Sequence, residues 1–201
     1  MKFDISGKNL TTLVGISFPL GIKELTCRNN QLKSFVGLPQ TVEIIWASNN
    51  QLTSFEGLPQ NLNTLDIIGN LFTSLVGCPY AIRYLYCGNN KLTSLIGCPK
   101  YVTTLWCYTN PITSFKGYPI ALRDCNFVNT PIHKKYGHKE PREMNIIARK
   151  EYIVGFLLGI DKIRMLMYCI KIQRWWRKKW YDEVDEQGIT RFCKMAIKDI
   201  S

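Results

Sequence analysis

Eight cysteines and two histidines have the widest chemical range in this 201-residue chain. Such side chains bind zinc at ligand spacing, or attack carbon when a base stands beside them. Here the spacing suits neither. No C-x-x-C pair occurs. Cys78 and Cys98 are 20 residues apart, as are Cys87 and Cys107. Leu38, Leu58, Ala47 and Ile67 hold the same two positions at other multiples of 20. A position shared by Cys, Leu, Ala and Ile is an apolar core position, with cysteine acting as a small hydrophobe. His133 and His138 stand alone in a basic stretch, and Cys169 and Cys193 have no evident His or Asp set. The expectation is no catalytic residue, no metal and no cofactor. The opening MKFDISGKNL has no continuous apolar run, so no secretory leader is expected. Eight cysteines then imply free thiols in an intracellular, reducing compartment.

The elements that position these residues follow from a repeat. NNQLKSFVGLP from Asn29, NNQLTSFEGLP from Asn49, GNLFTSLVGCP from Gly69, NNKLTSLIGCP from Asn89 and TNPITSFKGYP from Thr109 start 20 residues apart. An opening copy spans Phe3–Pro19 with a period of about 22, and a partial copy, NTPIH, starts at Asn129. Leu25, Ile45, Leu65, Leu85, Leu105 and Cys125 share one position, and Cys27, Ala47, Ile67, Cys87, Cys107 and Phe127 the position two later. That alternation predicts a short strand with one buried face. Asn30, Asn50, Asn70, Asn90 and Asn110 form a ladder suited to backbone groups that lack a strand partner. Gly37, Gly57, Gly77, Gly97 and Gly117 suit a positive φ, and the prolines two residues later exclude a helix on the return.

The unit L-x-x-L-x-C-x-x-N-x-L-T-S-L-x-G-L-P-x-x resembles the leucine-rich repeat at the short end of its range. The resemblance covers residues 3–132 and implies a leucine-rich-repeat solenoid of the α/β horseshoe class. Short parallel β-strands would line the concave face, with an extended or turn-rich convex side. About 6–7 repeats fill residues 1–132, a basic linker spans 133–141, and 142–201 form a basic α-helical tail that caps the second end. One repeat cannot bury its own apolar side, so the stack supplies the core.

Residues between the buried strand positions face outward, and nothing in the fold requires rings there. Trp46, Tyr84, Tyr86, Trp106 and Tyr108 nonetheless fall on this face, with Asp66 and Arg28 among them. Clustered aromatics mark recognition surfaces. These seven residues are therefore expected to bind a protein partner, with Tyr86, Trp106 and Tyr108 at the centre. The alternative is that the rings pack on one another, or on the tail, and merely shield the sheet.

The tail is the more charged part. Residues 1–132 carry 10 Lys/Arg against 6 Asp/Glu, and residues 133–201 carry 16 against 9. Its most apolar stretch, 153–172, is interrupted by Asp161, Lys162 and Arg164, so no transmembrane segment is expected. In KIQRWWRKKWYDE, Ile172, Trp176 and Trp180 share a helical face, and Lys171, Arg174 and Lys178 another. Ile172, Gln173 and Arg177 resemble the first half of an IQ motif, which implies docking of a calmodulin-like EF-hand protein, with Trp176 in the groove. Lys178 replaces the usual glycine, and Asp182 stands where a second basic residue is expected. The other readings are a seal on the open end of the solenoid, or binding to an acidic membrane or nucleic-acid surface; a nucleic acid is not the expected partner. Together, the repeats and the I-Q-R-W-W-R segment resemble leucine-rich-repeat proteins of large DNA viruses of protists and algae. The repeats alone also resemble bacterial effectors. The viral resemblance implies a host or virion protein as partner, and a location in host cytoplasm or virion. Some repeat-bearing effectors are ubiquitin ligases with a large separate catalytic domain. The 69 residues after the repeats are thin for one, so an enzyme is not expected.

Overall fold

A computed structural model describes residues 1–119 and 121–137 and, beyond them, Glu143, Met144, Ile146, Ile147, Ala148 and Lys150. The chain divides into two units, Met1–Ala148 and Arg149–Ser201. The Ile172–Arg177 segment and the expected helices after residue 150 lie outside the described residues.

Seven three-residue strands form one parallel sheet in chain order: β1 (Lys2–Asp4), β2 (Glu24–Thr26), β3 (Ile44–Trp46), β4 (Thr64–Asp66), β5 (Tyr84–Tyr86), β6 (Thr104–Trp106) and β7 (Asp124–Asn126). The register steps by 22 residues from Phe3 to Leu25, then by 20 from Leu25 to Ile45 and onward. The central residue of each strand from β2 to β6 is wholly buried. Leu32, Phe35 and their equivalents fill the interior behind them. Truncating one such leucine to alanine removes about 2–5 kcal/mol.

Three short-range devices keep the turns in register. The first is the asparagine ladder. Asn70 Nδ2 donates to the carbonyls of Ala47, Ile67 and Ile68 at 3.0, 3.1 and 3.3 Å, and Asn70 Oδ1 accepts from Leu52 N at 3.0 Å. Asn50, Asn90 and Asn110 repeat this pattern. Each amide thus ties two turns together and satisfies backbone groups that water cannot reach. The second is the row of glycines with φ between 85° and 96°, Gly37 to Gly117.

The third device is a left-handed residue just before each ladder position from Asn30 to Thr130: Asn29, Asn49, Gly69, Asn89, Thr109 and Asn129, with φ between 51° and 67°. Asparagine and glycine tolerate that conformation, whereas a β-branched residue is strained there. Thr109, at φ 51°, is the strained member. Asn49 Nδ2 also donates to Asn29 Oδ1 at 2.9 Å, so asparagine gains a bond between turns as well. Thr109→Asn is therefore expected to stabilise the protein by about 1 kcal/mol. A urea midpoint that stays put or falls would refute this.

The ends are closed differently. At the first, Phe3 and Phe18 meet edge to face at 5.7 Å over the core. At the second, Thr130 takes the ladder position and redirects the chain. Its Oγ1 donates to Phe127 O and accepts from His133 N, capping helix α1 (Pro131–Tyr136), which begins with proline. Thr at the N-cap followed by Pro at the first helical position is a strong start signal. Residues 133–136, expected in a linker, are consequently helical. Ile132 and Met144 are buried in the same core, with Ile147 and Ala148 packed against it.

Candidate functional site

Of the repeat residues singled out for recognition, Trp46, Asp66, Tyr84, Tyr86 and Trp106 lie on the strands, and Arg28 and Tyr108 lie two residues beyond theirs. Register aligns Asp4, Thr26, Trp46, Asp66, Tyr86, Trp106 and Asn126 in one row across the strands. Trp46 and Tyr86, two strands apart, stack with centroids 6.1 Å apart and planes 22° from parallel. They close over the residue between them, and Asp66 is only 3% exposed. Asp66 was expected to face a partner; it holds its place on the face but is covered by its neighbours. Tyr86 then meets Trp106 edge to face at 5.1 Å, an arrangement that aromatic quadrupoles favour.

The covered carboxylate has its own counter-ion. Arg28 Nη2 reaches Asp66 Oδ2 at 2.9 Å, and the guanidinium lies 4.9 Å from the centre of the Trp46 ring on the way. Asp66 Oδ1 accepts from Ile68 N at 3.0 Å. The arginine end remains wet, so the ion pair contributes little net stability. Without it, Asp66 would be a buried charge lacking compensation.

Both tryptophans are oriented by carboxylates. Trp46 Nε1 donates to Glu24 Oε1 at 2.9 Å, and Trp106 Nε1 to Asp124 Oδ2 at 3.0 Å. Tyr108 lies back over Gly88, where a β-carbon would come within 2.6 Å of the phenol ring. Glycine at 88 thus leaves room for the Tyr108 ring. Tyr84 and Trp106 stand farthest into solvent, at 43% and 39% exposure. The patch therefore gathers Arg28, Trp46, Asp66, Tyr86 and Trp106 through direct contacts, with Tyr84 and Tyr108 flanking it.

Among the described residues, Cys27, Cys78, Cys87, Cys98 and Cys107 lie in the core or pack against it. Burial, foremost, pushes the thiols of Cys27 and Cys98 up to about 12, and those of Cys78, Cys87 and Cys107 higher or well above the usual value. They are neutral at pH 7 and inert as nucleophiles. Among the described residues, no group of three or more His, Cys, Asp or Glu side chains is placed to hold a metal ion. No helix among them is long and apolar enough to cross a membrane.

Turns of 20 to 22 residues, stacked through one parallel strand each and tied by five ladder asparagines and glycine-kinked returns, define a leucine-rich-repeat solenoid of about six turns. No family model and no curated protein matches the chain. Among solved structures it is similar to YopM from Yersinia enterocolitica WA-314, at 19% identity and a TM-score of 0.43. The similarity covers 64% of this chain and 38% of that one, so the chain spans well under half of that protein's length.

Proposed function

We propose that the protein is a non-catalytic recognition module that binds a protein partner through the aromatic face of its sheet. One observation carries this reading. The fold needs no rings outside its core, yet Trp46, Tyr86 and Trp106 form a continuous aromatic strip there, with Tyr84 and Trp106 open to solvent. Preorganised tyrosine and tryptophan lose little entropy on binding and dominate interface energetics. The ring contacts also serve the alternative reading, a strip that only shields the sheet. The open positions of Tyr84 and Trp106 favour recognition, because a shield would bury its own edges.

The test is binding of a purified partner, first obtained by capture on the immobilised protein, to a Tyr86→Ala, Trp106→Ala double variant. Affinity is expected to fall at least about 30-fold, the loss of one strong hot spot. Unchanged affinity in a variant with native circular dichroism would remove this face from the interface. The second proposed site is the tail segment with Ile172, Gln173, Trp176 and Arg177, supported by the I-Q-x-x-x-R match. If the tail docks a calmodulin-like partner, Trp176→Ala loses binding and the sheet variant keeps it.

A further inference from the structure

The sheet's solvent face shows how it handles a cation. At Trp46, an arginine of the chain itself lies on the indole and pairs with a carboxylate of the same row, Asp66. Trp106, three strands along that row, is held by Tyr86 on one side and by Asp124 at its N–H. Among the described residues, cations lie over Trp46, Tyr101 and Tyr136, and none lies over Trp106. None of them pairs with the exposed Asp124.

Two features make this corner attractive to positive charge. Indole presents the strongest π face for a cation, and here its N–H is committed to a carboxylate, which leaves the ring more electron-rich. A negative charge also stands beside the ring, since the exposed Asp124 carboxylate accepts the Trp106 indole N–H at 3.0 Å. A flat, weakly hydrated guanidinium suits such a site better than a compact, strongly hydrated ammonium.

We propose that the corner formed by Trp106, Tyr86 and Asp124 receives an arginine side chain of the protein partner, its guanidinium lying on the indole, as Arg28 lies on Trp46, and paired with the exposed Asp124. This rests on the reading of the face as a protein-binding surface, and adds to it the chemistry of the anchor.

The experiment follows the Trp106 indole N–H of the full chain by nuclear magnetic resonance, the signal being assigned through Trp106→Phe. The probes are a blocked Gly/Ser octapeptide with one central arginine and the same peptide with citrulline, which is nearly isosteric and uncharged. The arginine peptide is expected to shift the Trp106 signal and leave Trp46 unmoved. The citrulline peptide should bind about fivefold more weakly. Asp124→Asn should weaken the arginine peptide by a similar factor and leave the citrulline peptide unchanged. Equal binding of both peptides, an indifferent Asp124→Asn variant, or a Trp106 signal that neither peptide moves would overturn the proposal. None of these results alters the outcome for the double alanine variant against the purified partner, so the anchor can fail while the wider reading stands.

Discussion

Gly57→Ala is expected to destabilise the protein by more than about 3 kcal/mol, whereas Gly77→Ala, at the equivalent position of the next turn, should cost about 1–2 kcal/mol. Both glycines have the same backbone, with φ of 89° and 88°. Any alanine there carries the left-handed penalty, and that alone accounts for the smaller figure. The surroundings differ. A β-carbon on Gly57 would lie 2.4 Å from Phe35 C and 2.5 Å from both Phe35 O and Val36 N. These are backbone atoms, and Phe35 N is bonded to Glu56 O at 3.0 Å beside the clash. The turns can separate only by breaking that bond and loosening the Phe35 and Phe55 layer. On Gly77 the nearest atom is Phe55 Cδ2 at 4.0 Å, an ordinary contact. Urea unfolding of the two variants under one condition checks the difference, and equal losses would show that backbone conformation, not stacking distance, sets the glycine requirement.

That contrast marks where reading by period succeeds and where it stops. The 20-residue spacing located the buried strand positions, the ladder and the returning glycines, because each is a property of one position repeated. It could not separate Gly57 from Gly77, whose difference lies in how closely one pair of turns approaches. The same holds for the face. Alternation placed Trp46, Asp66, Tyr86 and Trp106 outward on neighbouring strands; the register aligns them in one row, with Asp66 covered rather than open. That Trp46 and Tyr86 lean together over Asp66 depends on ring size and tilt, which a two-residue period does not carry. Arg28 reaching Asp66 depends on a long side chain crossing two strand spacings. Three further signals stand in the sequence. The first asparagine of each Asn-Asn pair marks a left-handed backbone position, obscured by the ladder asparagine beside it. Thr130-Pro131 announces a helix start inside what resembled one more repeat. Gly88 preceding Tyr108 by one period is a third, weaker signal, legible once a ring is known to need space on the adjacent turn.

The other large effect is expected at the ladder, where one atom exchanged for another of nearly equal size reverses the chemistry. In Asn70→Asp, a carboxylate oxygen would replace Nδ2 and face the carbonyls of Ala47, Ile67 and Ile68, all of which now accept from that nitrogen. The site is 4% exposed, so water cannot compensate. Breaking three bonds and burying a charge among carbonyl oxygens should cost about 4 kcal/mol or more at pH 7. The loss should depend on pH in a direction that identifies its cause. The protonated acid can still donate once and accept from Leu52 N, so the folded state favours it and the folded carboxyl pKa rises above the unfolded value of about 3.9. Between those two values the folded state binds the extra proton. Stability relative to the parent is therefore greatest below pH about 4 and falls as pH rises, by at most about 1.4 kcal/mol per unit, until the folded group ionises. Asn70→Ala should lose stability without that slope. A deficit in the aspartate variant that is flat from pH 4 to 7 would mean that the amide acts only by filling space. The consequence reaches the binding face, because two of the carbonyls held by Asn70 belong to Ala47 and Ile67, each immediately after a residue of the row, Trp46 and Asp66. A variant that folds only at low pH should accordingly lose the Trp46–Tyr86 stack as pH rises, readable in near-ultraviolet circular dichroism before the strands themselves unfold.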